Sequence, residues 1–297
     1  MGLKKADFLD RIDPARHVVI AGPTAAGKSA LALAIAEEQG GTVVNADALQ
    51  IWSCWRVLTA RPDAADEVAA PHVLYGHVEP GRAYSVGDWL NEVAALEGRL
   101  IIAGGTGLYL TALTEGLAYI PPVPPEIRSR GDDWLADGGL HDMVAALDAQ
   151  TRAKIDTNNP ARVQRAWEVL EATGRGIADW QKDTPPPLMP SDQVQPLVLT
   201  SDRDWLSTRI EQRFHQMWKQ GAVEEVEAML PQWNERAQWT RAIGAPEIAA
   251  YLRGDIDEAT AKDRAVIATR QYAKSQRIWF RSKMKQWEAL RVGPVVC

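Results

Sequence analysis

This sequence predicts an α/β fold built on a parallel sheet, on three observations. Short apolar runs of strand type recur at Val18-Val19-Ile20-Ala21, Thr42-Val43-Val44 and Arg99-Leu100-Ile101-Ile102-Ala103. Two of them run directly into glycine-rich junctions that open segments of strong helix formers, as strand–loop–helix units do. Two proline clusters, at residues 119–125 and 185–190, bracket a stretch of helical pattern and read as hinges around an insertion.

The first junction is the most informative stretch. Gly22-Pro23-Thr24-Ala25-Ala26-Gly27-Lys28-Ser29 reads G-x-x-x-x-G-K-S, with a strand before it and the helix formers Ala30 to Glu38 after it. Glycines let the backbone fold around an anion, so that successive N–H groups and the helix N-terminus point at phosphate oxygens. Lys28 supplies a fixed positive charge and the Ser29 hydroxyl a ligand for Mg²⁺. The pattern predicts a P-loop NTPase-like core that holds a pyrophosphate or polyphosphate, without saying whose.

Gly40-Gly41 ends this helix, and the strand at Thr42-Val43-Val44 delivers Asn45-Ala46-Asp47 to its carboxyl end. In a parallel sheet that edge is the ligand crevice, so Asp47 is expected near the phosphate loop. A carboxylate there can bind Mg²⁺ through water, act as a base, or cap the helix that follows. Residues 50–62 end in Thr59-Ala60-Arg61-Pro62; His72 alone reads as structural; Tyr84 to Trp89 reads as a helix start. The second junction, Gly104-Gly105-Thr106-Gly107-Leu108-Tyr109, predicts another backbone approach to the ligand, with Thr106 offering a hydroxyl. A simple tight turn would explain Gly104 and Gly105 equally well.

Residues 126–180 look helical, with an amphipathic pattern at Leu140, Val144 and Leu147, and Gln195 to Leu199 resumes strand character. The expected organisation is therefore a discontinuous catalytic core, 1–118 with 195–297, and a mostly helical insertion at 119–194. Within the insertion Arg162 and Arg165 share one helical face, and Asp132, Asp133 and Asp137 read as a solvated helix start. From Trp205 onward the chain reads as helical and cationic. Arg209, Arg213 and Met217 repeat at four, and Arg270, Lys274, Arg277 and Arg281 form one basic stripe. Phe280, Met284 and Trp287 repeat on a neighbouring face.

Composition excludes several classes. No apolar run approaches a membrane span, and the charged first ten residues do not read as a signal peptide. Cys54 and Cys297 stand in no metal-ligand spacing, so neither a zinc site nor a disulfide framework is expected, and a reducing cytoplasm is the expected location. A net charge of −6 confines any nucleic-acid contact to a local basic patch, which makes the stripe at 270–281, beside Gln271 and Gln276, a phosphate-backbone track. The twelve tryptophans are scattered and read as packing residues.

Taken together, these motifs resemble the bacterial tRNA dimethylallyltransferases, also called tRNA isopentenyltransferases, over nearly the whole chain. The correspondence takes in residues 22–29, Asp47-Ala48-Leu49-Gln50, Thr59 to Pro62, Gly104 to Tyr109, Arg128 and Ala161-Arg162-Val163-Gln164-Arg165. It continues through Arg209-Ile210 with Arg213, Ala242-Ile243-Gly244, Thr269 to Lys274 and Gln276. The resemblance implies transfer of a dimethylallyl group from its pyrophosphate to N6 of adenine 37, beside the anticodon of a tRNA. It implies Asp47, Thr106 and Arg209 as catalytic residues, residues 22–29 as the pyrophosphate site, and Mg²⁺ held by Ser29 with pyrophosphate and water. It also implies tRNA contacts, to the anticodon stem-loop, at Asp47 to Gln50, Thr106, Arg128, residues 161–165, Arg270, Lys274, Gln276, Arg277 and Arg281. A monomer is expected. The chain departs from the family pattern at Ala48 and Leu49, where Ser-Met is usual. It also departs at Trp52, Arg61, Asn159, Ala245-Pro246 and Ser275. An ATP-binding P-loop kinase of small molecules or nucleotides is the alternative, since the loop and Asp47 would serve phosphoryl transfer as well.

Overall fold

A computed structural model of the chain describes residues 8–293. The readings made on Cys297 and on residues 1–7 lie outside the described residues. β1 (Val18–Ala21) is buried along its whole length and leads into the phosphate loop, from which α1 (Lys28–Gln39) starts. β2 (Thr42–Asn45) follows, then α2 (Ala64–Ala69) and the two-residue β3 (His72–Val73). Ser85 and Asp88 form a capping box at the start of α3 (Val86–Ala94), as the sequence leads one to expect there. β4 (Leu100–Gly104) runs into α4 (Gly107–Glu115). The intervening helices are α5 (Pro125–Ala136), α6 (Leu140–Ala145), α7 (Ala149–Lys154), α8 (Pro160–Thr173) and α9 (Ile177–Trp180). β5 (Gln195–Ser201) then precedes α10 (Arg203–Met217), α11 (Val223–Met229), α12 (Ala245–Leu252), the long α13 (Glu258–Lys283) and β6 (Glu288–Val292).

Among the described residues the strands form one six-stranded parallel sheet in the order β3-β2-β4-β1-β5-β6. A parallel sheet covered on both faces demands continuous apolar strands, and β1 and β4 are buried at every position. Register fixes the crevice: Ala21 lies level with Gly104 and Val198, and Asn45 with Ala103. The loops after β1, β2 and β4 therefore leave the sheet side by side.

Two strands were not legible in the sequence. β3 is too short for a period to show. β6 replaces the continued helix expected through Met284 and Trp287: α13 stops at Lys283, and residues 288–292 pair with β5 instead. Met284 and Trp287 stay buried, but as the floor between helix and strand rather than as a helical face.

The chain divides into two compact units, one made of the residues up to Thr114 and from Met189, the other of Glu115–Leu188. These boundaries fall four and six residues before the expected 119 and 195. The first proline run belongs to the helical unit, with Val123 buried, and the Met189 amide already donates to the Leu113 carbonyl. The helical unit has its own core of Met143, Leu147, Val163, Ala166 and Trp167, with Trp134 edge-on to Trp167 at 5.3 Å.

Gly104 is glycine because of space rather than turn geometry. Neither Gly104 nor Gly105 has a positive φ. A Cβ on Gly104 would stand 2.0 Å from the Ala46 carbonyl oxygen, an impossible contact with backbone. Gly104→Ala is expected to cost at least about 1–3 kcal/mol of stability through overpacking, read as a fall in denaturant midpoint, and to push the loop after β2 out of the crevice.

Candidate active site

The phosphate loop folds back on itself through two left-handed residues, Ala25 at φ 63° and Gly27 at φ 96°. A non-glycine there is strained by roughly 1 kcal/mol or more, and such strain clusters at functional loops. Gly22 packs tightly on β5, where a Cβ would come within 2.9 Å of the Leu199 Cβ. The Lys28 ammonium donates to the Pro23 carbonyl at 3.0 Å, and Arg209 Nε to the Ala25 carbonyl at 3.0 Å. The Arg209 guanidinium lies 4.9 Å from the centre of the Trp205 ring, which holds it flat against the loop.

Lys28, Arg209 and Arg213 line a cavity of about 390 Å³, together with the exposed Ser29 and a single carboxylate, Asp47. Burial pushes the Lys28 pKa down to about 8; the Asp47 charge works against that shift and Arg213 adds to it. Arg213 is likewise lowered by burial, with Asp47 in opposition. Three cations facing one carboxylate leave an excess of positive charge in the cavity. A multiply charged anion restores the balance, and the loop amides supply its hydrogen bonds.

Asp47 is held by a network that starts from a fully buried side chain. Asn45 Nδ2 donates to the carbonyls of Asp47 (3.0 Å) and Leu74 (2.9 Å), and Asn45 Oδ1 accepts from the Asp47 amide at 2.8 Å. The Trp89 indole donates to the Asn45 carbonyl at 2.7 Å. Asp47 Oδ1 accepts from the Leu49 amide at 3.0 Å, which closes a turn; no helix follows for it to cap. Oδ2 faces Gly105, whose missing Cβ would lie 3.1 Å away. Thr106 Oγ1 accepts from the Ala48 amide at 2.8 Å, leaving its proton free to donate. Tyr272, half-buried and raised in pKa by burial and by the Asp47 charge, sits within hydrogen-bonding reach of Thr106 and Gln276.

Asp47 also lines an adjoining cavity of about 70 Å³ whose remaining walls are largely apolar: Leu49, Leu58, Ile210, Phe214, Met217 and Ile243. The two cavities share Thr24, Ala25, Asp47, Gln50, Thr59 and Arg213. Gln50 donates to the carbonyls of Thr59 and Ala60, both at 2.9 Å, and so shapes this wall from within. Arg61 is structural, reaching back to the Trp52 carbonyl at 3.2 Å beneath Gly76.

Gln276 is corrected. Its side chain does not face outward with the basic stripe but is buried, accepting from the Thr24 amide and donating to the Gly105 carbonyl, both at 2.8 Å. It braces the phosphate loop against the second glycine loop. Val163 is corrected as well: it is fully buried in the core of the helical unit and presents no side chain to a partner. Gln164 spends its amide on Asp132 (2.7 Å) and Glu168 (3.0 Å). In that unit Arg128, Ala161 and Arg162 are exposed, while Arg165 is half-buried near Glu168 at 3.7 Å and feels the charge of Arg128.

Arg270, Lys274, Arg277 and Arg281 are all exposed along α13, and Arg270 pairs with Glu211 at 2.7 Å. With Arg203 and Lys285 they line a groove of about 900 Å³ that has the buried Leu206 and Phe280 at its base and the exposed Ile267 and Ile278 on its sides. Sequence reasoning did not assign Tyr272 or Arg213 to the cavities they line. The signals were the i,i+4 spacings of Tyr272 to Gln276 and of Arg209 to Arg213. Cys54 is half-buried and free, its thiol pushed up to about 12 by burial, which makes it inert.

The sequence profile of a family described as IPP transferase matches residues 50–283, and one described as isopentenyl transferase matches residues 15–74. The tRNA dimethylallyltransferase of Paracoccus denitrificans (strain Pd 1222) is 63% identical over 295 residues, covering 96% of this chain and 98% of its own. That of Dinoroseobacter shibae (strain DSM 16493 / NCIMB 14021 / DFL 12) is 56% identical over 290 residues, covering 96% and 98%. Among solved structures, the full-length tRNA isopentenylpyrophosphate transferase of Bacillus halodurans matches with a TM-score of 0.64 at 28% identity, over 93% of this chain and 90% of that one. A eukaryotic dimethylallyltransferase acting on tRNA matches with a TM-score of 0.75 at 23% identity, over 93% of this chain and 73% of that one, a likeness of fold alone.

The lowered pKa of Lys28 gives the site a pH signature. Below about 8 the free site holds the ammonium; above it the proton is lost and with it the charge facing the anion. Affinity for an alkyl diphosphate, whose own last proton is gone by then, is expected to fall about tenfold per pH unit above that point, by titration calorimetry. A flat profile would show that Lys28 does not meet the anion.

Proposed function

This chain belongs to the IPP transferase family, and on that premise we propose that it transfers a dimethylallyl group from dimethylallyl pyrophosphate to N6 of adenine 37 in tRNA. The observation that carries the proposal is that Asp47 lines both a cationic cavity sized for a diphosphate and an apolar cavity sized for a short hydrocarbon.

The allylic C1–O bond breaks and its electron pair leaves with the diphosphate. The loop amides, Lys28, Arg209 and Arg213 face the charge that grows on those oxygens, and such preorganised donors are the strongest means of stabilising it. N6 of adenine forms the new bond to C1. Its lone pair is delocalised into the ring, so it needs help. Asp47 Oδ2, free of the turn-closing bond that occupies Oδ1, takes the N6 proton as the bond forms. The Thr106 hydroxyl, fixed by the Ala48 amide, donates to the purine or to the donor beside it. The apolar wall and Tyr272 line the side of the crevice where the hydrocarbon would lie.

Mg²⁺ fits this donor set. Among the described residues no cluster of three or more His, Cys, Asp or Glu side chains could cage a metal, whereas Ser29 exposes its hydroxyl at the start of α1. An ion held by Ser29 would take its other ligands from diphosphate and water, as Mg²⁺ does, and would neutralise charge on the leaving group.

A stacked base cannot reach Asp47, so the purine is extruded from the anticodon loop, which costs less there than in a duplex. The exposed Lys274, Arg277 and Arg281 track the phosphates of the RNA, and Arg128 and Arg162 in the helical unit add contacts of the same kind. Among the described residues no helix is long and apolar enough to cross a membrane.

Asp47→Asn keeps an oxygen for the Leu49 amide and removes the base. It is expected to lower kcat by about 10²–10⁴-fold with tRNA affinity unchanged, measured by incorporation of labelled dimethylallyl pyrophosphate into an anticodon stem-loop. Turnover at the wild-type rate would remove Asp47 as the base. Replacing Lys274, Arg277 and Arg281 by Gln is expected to weaken tRNA binding for all sequences alike. The slope of log K against log salt should fall by about one per lost phosphate contact.

A further inference from the structure

We propose that Leu58 and Met217 close the apolar cavity at its far end and limit the transferred group to five carbons. The inference rests on the prenyl-transfer reading of the same site.

The cavity has a polar end, which it shares with the diphosphate site at Asp47 and Arg213, and an apolar end that is its own. A hydrocarbon attached to a diphosphate therefore enters with its tail toward Leu58, Phe214, Met217 and Ile243. The volume is about 70 Å³. It is less than a fifth of the diphosphate cavity, so only a short hydrocarbon fits there. A dimethylallyl group has five carbons. A ten-carbon allylic chain needs about twice the room.

The end wall does not yield. Leu58 sits on a turn whose three successive amides, at Arg56, Val57 and Leu58, all donate to the Glu225 carboxylate at 2.8–2.9 Å. Behind it the bare backbone of Gly244 presses on Phe214 and Leu58; a Cβ there would meet them at 2.8 and 3.0 Å. Phe214 is pinned further by Trp218, with ring centres 6.1 Å apart. Leu58 is thus a fixed stop. Met217 is the side chain with slack: it is half-buried, at the last position of α10, just before a turn in which Gly221 takes φ 114°. Shortening both residues lengthens the cavity without touching Asp47, Lys28, Arg209 or Arg213. The bond exchange is the same with either donor: C1–O breaks toward diphosphate, N6–C1 forms, and the N6 proton passes to Asp47.

The test compares dimethylallyl and geranyl diphosphate as donors to one anticodon stem-loop, for the wild type, Leu58→Ala, Met217→Ala and the double variant. The wild type is expected to prefer the five-carbon donor by more than about a thousandfold in kcat/KM, since even one surplus methylene costs about 10–200-fold. In the double variant that preference is expected to shrink at least tenfold, through a gain of geranyl transfer and not only a loss of dimethylallyl transfer. Thermal melts establish that each variant is folded, and Met217→Ala, at a half-exposed position, carries the test if the double variant is not. A wild type that transfers neither group overturns the underlying reading. Folded variants that transfer dimethylallyl yet reject geranyl as strictly as the wild type overturn the limit set by Leu58 and Met217 alone.

Discussion

One buried amide holds the reactive edge of the sheet together. Gln276 accepts from the Thr24 amide and donates to the Gly105 carbonyl, and so ties the phosphate loop to the loop after β4 at a fixed spacing. Neither loop could keep that spacing unaided, because each leaves its strand as irregular backbone whose polar groups need partners. The bond geometry requires an acceptor and a donor on one short planar group, which a glutamine provides and a carboxylate does not. The same spacing carries Asp47. Ala46 lies against the bare backbone of Gly104, and the Thr106 amide donates to the Ala46 carbonyl at 3.2 Å.

Around that frame the electrostatics are arranged for an absent negative charge. Lys28, Arg209 and Arg213 converge on one side, and only Asp47 opposes them. Burial alone would drive the lysine toward neutrality, and it is already shifted to about 8. Two of the three cations are also tied to structure: Lys28 to the Pro23 carbonyl, Arg209 to the Ala25 carbonyl and the Trp205 ring. A diphosphate entering such a site meets donors already in place, so little reorganisation is needed when negative charge develops on the leaving group. Asp47, with one oxygen committed to the turn and the other facing the crevice, can accept a proton without losing its own position.

The long α13 links this chemistry to the outer surface. One face, with Ala265, Ala273, Gln276 and Phe280, is buried against the core, and the neighbouring face carries the exposed Lys274, Arg277 and Arg281. A helix is stiff along its axis, so a partner gripped by the outer face is held in register with the residues of the inner one. Gln276 and Tyr272 stand on the same helix as the stripe, which places the brace of the active site and the basic track on a single rigid element.

Much of this was legible in the residues. The phosphate loop, the four longer apolar strands, the proline-bounded helical unit and the basic stripe follow from local pattern, because each depends on neighbours in sequence: a glycine spacing, an apolar run, a period of 3.6. Asp47 and Thr106 were placed by the rule that parallel strands present their carboxyl ends to the ligand. What the sequence could not decide were matters of pairing between distant segments. β6 forms because β5 has an open edge, and nothing within residues 288–292 competes with helix strongly enough to announce it. Gln276 sits one position before the cationic Arg277 and reads as part of that face, yet a rotation of about 100° per residue turns it into the core. Val163 lies between the exposed Arg162 and the half-buried Gln164 of its motif, turned into the core for the same reason. The need for glycine at 104 is a need for space beside Ala46, set by a carbonyl 58 residues away in the chain, and the position of Leu58 in the wall of the smaller cavity is fixed by Glu225 and Gly244 from two other segments. Sequence determines which chemistry each residue carries; only the packed chain determines what that chemistry faces.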